Sequence, residues 1–200
     1  MDIYTDYANW KFENHDYIFQ LVKSQSKTIS RFTSVIAVVD YLYEKHIKNA
    51  SLTEDEQVIF STGFDYIYDN FYTIKTILDY QFSGDYKELE KCAKTINLLL
   101  YVQDFQNELL NQGLDHAIQP LYDFEEKINQ YLDKKENVPD AFFPMLDDIV
   151  TPIFERNGLD LNPIESIFYE IAVEYGIYKN NDFDIYNTVF NYQKEKKKSN

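Results

Sequence analysis

The chain has 200 residues, 44% hydrophobic and 17% aromatic, so it holds material for a packed core and falls outside the disordered class. Five glycines and five prolines are too few for a β-sandwich or barrel, whose turns recur every ~8 to 12 positions. With 34 acidic and 19 basic residues the net charge is −15, the wrong sign for a nucleic-acid binder and the right one for a chain whose partner is basic.

The acid is unevenly placed. Residues 11–50 carry six basic and four acidic groups, residues 51–90 two and nine, and residues 140–193 two and ten. Lys194, Lys196, Lys197 and Lys198 crowd the end of the chain. A front near neutrality, an acidic body and a basic frayed tail over 194–200 result. Codon bias toward A and T would enrich Tyr, Phe, Asn and Ile, but it would enrich Lys too, and Lys is outnumbered. The acidity therefore asks for its own explanation, whether solubility or a basic partner.

Cys92 is the single cysteine, so no internal disulfide is expected. Residues 1–20 lack the basic-then-apolar order of a leader, and no window reaches 18 apolar residues. The expectation is a cytoplasmic protein with no membrane association.

In chain order, residues 1–26 mix aromatics with polar residues, and only a short helix near 15–23 is predicted there. From Thr28 to about Lys48, Phe32, Val35, Ile36, Val39, Leu42, Tyr43 and His46 recur at helical spacing. Ser51-Leu-Thr-Glu54 and Thr53-Glu-Asp-Glu56 both match a capping box, in which a hydroxyl accepts from a free backbone N–H and the Glu reaches back. Phe60, Phe64, Ile67, Phe71, Ile74 and Leu78 then alternate four and three, with Asp65, Asp69 and Asp79 opposite. Ser83-Gly84 stops that helix and Asp85 caps the next, whose stripe of Leu89, Cys92, Ala93, Ile96, Leu99, Leu100 and Leu109 runs to about Asn111. Two long helices around so short a turn predict a central antiparallel hairpin.

After Gly113 the stripe Ala117, Leu121, Phe124, Ile128, Leu132 predicts another helix, with Pro120 near its start. A break at 136–141 precedes Phe142, Leu146, Ile149 and Ile153. Asn162-Pro163-Ile164-Glu165 reads as cap, first-position proline and acidic first turn for the stripe Ile167, Phe168, Ile171, Tyr175. A last helix is predicted over about 183–195. The fold class is all-α: about seven helices in a bundle or orthogonal array, forming one domain over 1–193, with 136–141 as its only candidate subdivision.

Chemistry is sparse. The residues three before His15, His46 and His116 are Phe12, Tyr43 and Gly113, so the Glu-x-x-His pair of a di-iron bundle is absent. Asp182-Phe-Asp184 lacks the glycine and closing Glu of a calcium loop. Asp123-x-x-Glu126 is a single acidic pair without a second, and Lys23, Lys27 and Arg31 read as a solvated basic face. Cys92 lies on an apolar stripe, where a thiol serves as a small hydrophobe. No catalytic residue, metal ligand or cofactor is assigned.

The expected function is a non-catalytic binding module of the immunity, antitoxin or inhibitor type. It would engage a basic protein through an acidic, tyrosine-bearing helix face, with no nucleic acid or membrane involved. Asp65, Tyr68, Asp69 and Tyr72 are the first candidate patch, and Asp147, Asp148, Glu170 and Glu174 the second. The alternatives are a metal-dependent bundle enzyme whose carboxylates converge, with Glu170 and Glu174 among them, and a phage assembly or chaperone subunit.

Overall fold

A computed structural model describes residues 2–16, 18 and 33–177, and these form eight α-helices and one 3-10 turn with no strand among them. The helices are α1 (Ile3–Glu13), α2 (Thr33–Ile47), α3 (Glu54–Gln81), α4 (Tyr86–Lys91), α5 (Ala93–Asn111), α6 (Gln119–Asp133), α7 (Phe142–Arg156) and α8 (Ile164–Glu174), with the 3-10 turn at Asp115–Ala117. The all-α class follows. The predicted helix near 183–195, most of that near 15–23, and the Lys23–Arg31 face lie outside the described residues.

The chain divides into two compact units, Met1–Tyr72 with Pro163–Asn200, and Thr73–Asn162. Helix α3 contributes to both, and the 136–141 break lies inside the second.

The first unit is built on aromatic side chains. Asp2 caps α1 by accepting from the N–H groups of Tyr4 and Thr5, each at 3.0 Å, and the helix buries Tyr7 and Trp10. Sequence periodicity alone misses this helix, because its two buried positions are scattered among polar ones. Tyr7 meets Phe60 and Phe64 edge-on at 5.5 and 5.2 Å between centroids, and Trp10 meets Phe71 at 5.4 Å. Edge-to-face pairs of this kind add about 0.5–1.5 kcal/mol each beyond area burial. His46, drawn into the apolar stripe by its spacing, stays exposed and stacks on Tyr4 at 3.7 Å. Helix α2 packs closely against α8. Gly63 of α3 sits where they cross: a Cβ there would lie 2.6 Å from Val39 Cγ2 and 2.7 Å from Phe168 Cε1.

In the second unit α5 packs on α6 and α7, and α6 on α7. Every residue of the predicted α6 stripe from Leu121 to Leu132 is buried, and Pro120 occupies the first turn without kinking the helix. Helix α7 turns a neighbouring face inward, burying Leu146, Val150 and Phe154 rather than Ile149 and Ile153. Phe154 meets Phe105 edge-on at 5.2 Å, which accounts for the rotation.

The turn between α3 and α4 forms where the residues place it. Ser83 and Gly84 both take positive φ, 49° and 77°, and the Gly84 N–H reaches Leu78 O at 3.0 Å. The second arm of the expected hairpin is interrupted, since Cys92 (φ −120°, ψ 30°) separates α4 from α5. The α3–α5 pair is not among the closely packed helix pairs, and the packing does not confirm a central two-arm hairpin.

Candidate functional site

Helix α3 buries Phe60, Phe64, Ile67, Phe71, Ile74 and Leu78, the whole predicted seam. A helix with that seam inward turns its opposite face to solvent, although Tyr66 and Asn70 beside the seam are buried too. Asp65, Tyr68, Asp69 and Tyr72 are all exposed, and their spacing of three, four and seven residues puts them on one face. Tyr68 is 50% exposed and Tyr72 66%. The Tyr68 ring rests edge-on against Phe64 at 6.1 Å. Partial burial pushes the Asp69 carboxyl above its ordinary range, and the charge of Asp65 one turn away pushes it further.

The second predicted patch draws its residues from both units. Asp147 and Asp148 are exposed on α7 of the second unit, whereas Glu170 and Glu174 are exposed on α8 of the first. Tyr175, next to Glu174, stacks on Tyr41 at 5.2 Å, and its hydroxyl pKa is raised by burial first and then by the charges of Glu56 and Glu174.

The converging carboxylates that a bundle metalloenzyme requires do not appear: among the described residues no three His, Cys, Asp or Glu side chains gather into a metal-holding group. Asp123 and Glu126 are exposed on α6, with Asp123 accepting from Gln119 at 2.8 Å. Cys92 is fully buried, and burial pushes its thiol up to about 11. No helix among the described residues is long and apolar enough to cross a membrane.

Sequence reasoning passed over a buried polar group. Asp40 closes the apolar run Val35–Val39 and is only 6% exposed. Its Oδ1 accepts from the Tyr7 hydroxyl and, at 2.8 Å, from Lys11 Nζ. An acid at the end of a buried helical stripe was the available signal, although its partners lie some thirty residues away in sequence. No protein-family model, no curated protein and no solved structure matches this chain.

Proposed function

We propose that the protein is a non-catalytic binding module whose α3 face, Asp65, Tyr68, Asp69 and Tyr72, receives a basic segment of another protein. The observation that carries this reading is the exposure of two tyrosines, half and two-thirds respectively, beside two carboxylates on one helix face. Tyrosine supplies contact area at small entropic cost, and a carboxylate one turn away selects a cationic neighbour. Asp65 and Asp69 repel each other in the free protein. A lysine or arginine placed between them relieves that repulsion, so the partner's charge is favoured over a neutral residue's. The net charge of −15 steers the same class of partner from a distance.

The test compares the wild type with D65K/D69K as baits for a native-host extract at low salt. The expected result is a basic protein retained by the wild type, lost from the charge-reversed bait and released near 0.3 M salt, where the Debye length falls to roughly 6 Å. Equal retention by both baits, or no basic protein on either, overturns the reading.

A further inference from the structure

Asn157 and Gly158 form the only Asn-Gly step in the chain, and both are exposed at the end of α7 in the second unit. A glycine leaves the preceding asparagine's side-chain amide open to attack by the main chain, because no Cβ crowds its nitrogen. Here the fold occupies both groups. Gly158 takes φ 64°, its N–H donates to Glu155 O at 3.2 Å, and the Leu159 N–H donates to Phe154 O at 2.9 Å, which closes α7 with a Schellman turn. Asn157 folds its side chain back along the helix, where Nδ2 donates to Ile153 O at 2.7 Å. The nitrogen that would attack is thus held by Glu155, and the amide that would be attacked is held by Ile153.

We infer that Asn157 is a modification site, a self-deamidating asparagine that the closed end of α7 restrains and that reacts when this last turn opens. The step needs only base and water. Base takes the Gly158 amide proton, the nitrogen attacks Asn157 Cγ, and the Cγ–Nδ2 bond breaks. Nδ2 leaves as ammonia after taking up a proton, and a five-membered succinimide remains. Water opens that ring at either carbonyl and leaves an aspartate or an isoaspartate at the position. Ring closure requires the Gly158 nitrogen to swing toward Asn157 Cβ, far from the ψ of 5° that the helix end imposes. The folded chain therefore reacts through local opening of the turn. The change does not reverse. A carboxylate has no donor for Ile153 O, and its charge sits at the negative end of the α7 dipole. Each conversion thus weakens the end of α7 and adds one negative charge. The α3 face lies elsewhere, and neither reading depends on the other.

The test incubates the full chain in mildly alkaline buffer, with and without denaturing guanidinium chloride, and follows each asparagine by peptide mapping with isoaspartate detection. Asn157 is expected to convert about tenfold more slowly in the folded chain than in the denatured one, equivalent to about 1.4 kcal/mol. That is the scale of the hydrogen bonds that must open. Asn111 and Asn137, which precede Gln and Val, are expected to stay intact over the same time in denaturant. G158A places a methyl beside the attacking nitrogen and is expected to slow conversion in denaturant, where any effect of the substitution on folding is irrelevant. Conversion at equal rates in the two conditions, no conversion of Asn157 in either, faster conversion at Asn111 or Asn137, or an unchanged rate in denatured G158A overturns the inference.

Discussion

Tyr7 is 1% exposed, so its hydroxyl has to find a partner inside the protein, and Asp40 is the partner it finds. Asp40 needs that bond as much as Tyr7 does, since a buried carboxylate survives only when paired and hydrogen-bonded. Y7F keeps the ring contacts with Phe60 and Phe64 and removes only the donor. It is expected to lower unfolding free energy by about 1–3 kcal/mol in urea titrations, with an unchanged slope. A loss within error of zero would mean that Lys11 alone satisfies Asp40. Cys92 gives a second prediction at this scale, with its sign set by burial. Its folded pKa is raised from 9.0 to about 11, so between these values the unfolded chain sheds a proton that the folded chain keeps. Stability is therefore intact below about pH 9 and falls as pH rises toward 11. C92A should flatten that part of the pH profile. In the native state at pH 8 the thiol should resist a thiol reagent that labels it at once in denaturant.

Helix boundaries show which parts of the fold a sequence reveals. Of the two capping boxes offered near residue 53, the chain uses Thr53 and Glu56: Thr53 Oγ1 accepts from Glu56 N–H at 3.2 Å, and Glu56 Oε2 accepts from Thr53 N–H at 2.9 Å. Glu56 was free to settle the choice because it also receives Lys45 Nζ at 2.7 and 2.9 Å, a contact from a different helix. That hydrogen bond, followed by the one from the Thr53 backbone, holds the Glu56 carboxyl below its ordinary value. Its contribution is present above about pH 4.5 and lost as pH falls through the depressed value. T53A is expected to cost about 1 kcal/mol. The start of α5 is the opposite case. Its own N-cap residue, Cys92, offers no side-chain bond, and Asn137 supplies one from 43 residues away, accepting from Lys94 N–H at 3.0 Å. Next to it Thr95 donates to Glu136 O and accepts from Val138 N–H at 2.9 Å, so the loop at 136–140 is pinned to that helix end. Residues 136–141 were legible as a break, but their capping role was not, because no local pattern joins positions so far apart. N137A should destabilise the chain by about 1 kcal/mol, read as a lower urea midpoint. A neutral result would show that Thr95 alone fixes the loop. The candidate face on α3 was legible for the same reason as the capping boxes: a seam of six residues, from Phe60 to Leu78, fixes which face points outward. The buried Asp40 group was not, because its bonds from Tyr7 and Lys11 join α1 to α2 and the aromatic period of α1 is too short to announce a helix.

At the scale of the whole molecule the excess of acid acts on folding and on association with opposite signs. A net charge of −15 on 200 residues gives the compact state a self-repulsion that the expanded chain partly escapes. Local pairs offset little of it. Among the described residues Lys11–Asp40 and Lys45–Glu56 are partly buried, whereas Lys48–Glu44, Lys91–Glu88 and Lys94–Asp140 are exposed and contribute little to stability. Added salt screens the long-range repulsion between exposed carboxylates more than it weakens the buried pairs. Raising NaCl from roughly 0.02 to 0.3 M, which shortens the Debye length from ~20 to ~6 Å, should therefore raise Tm by a few degrees. A complex with a basic partner on the α3 face should respond in the opposite direction, dissociating faster and forming more slowly over the same range. The two measurements belong together. A Tm that rises while binding weakens identifies the carboxylates as groups held apart at the cost of stability and used for recognition. If Tm stays flat or falls over that range, the acidic surface is already balanced within the folded chain, and the charge argument for a basic partner fails with it.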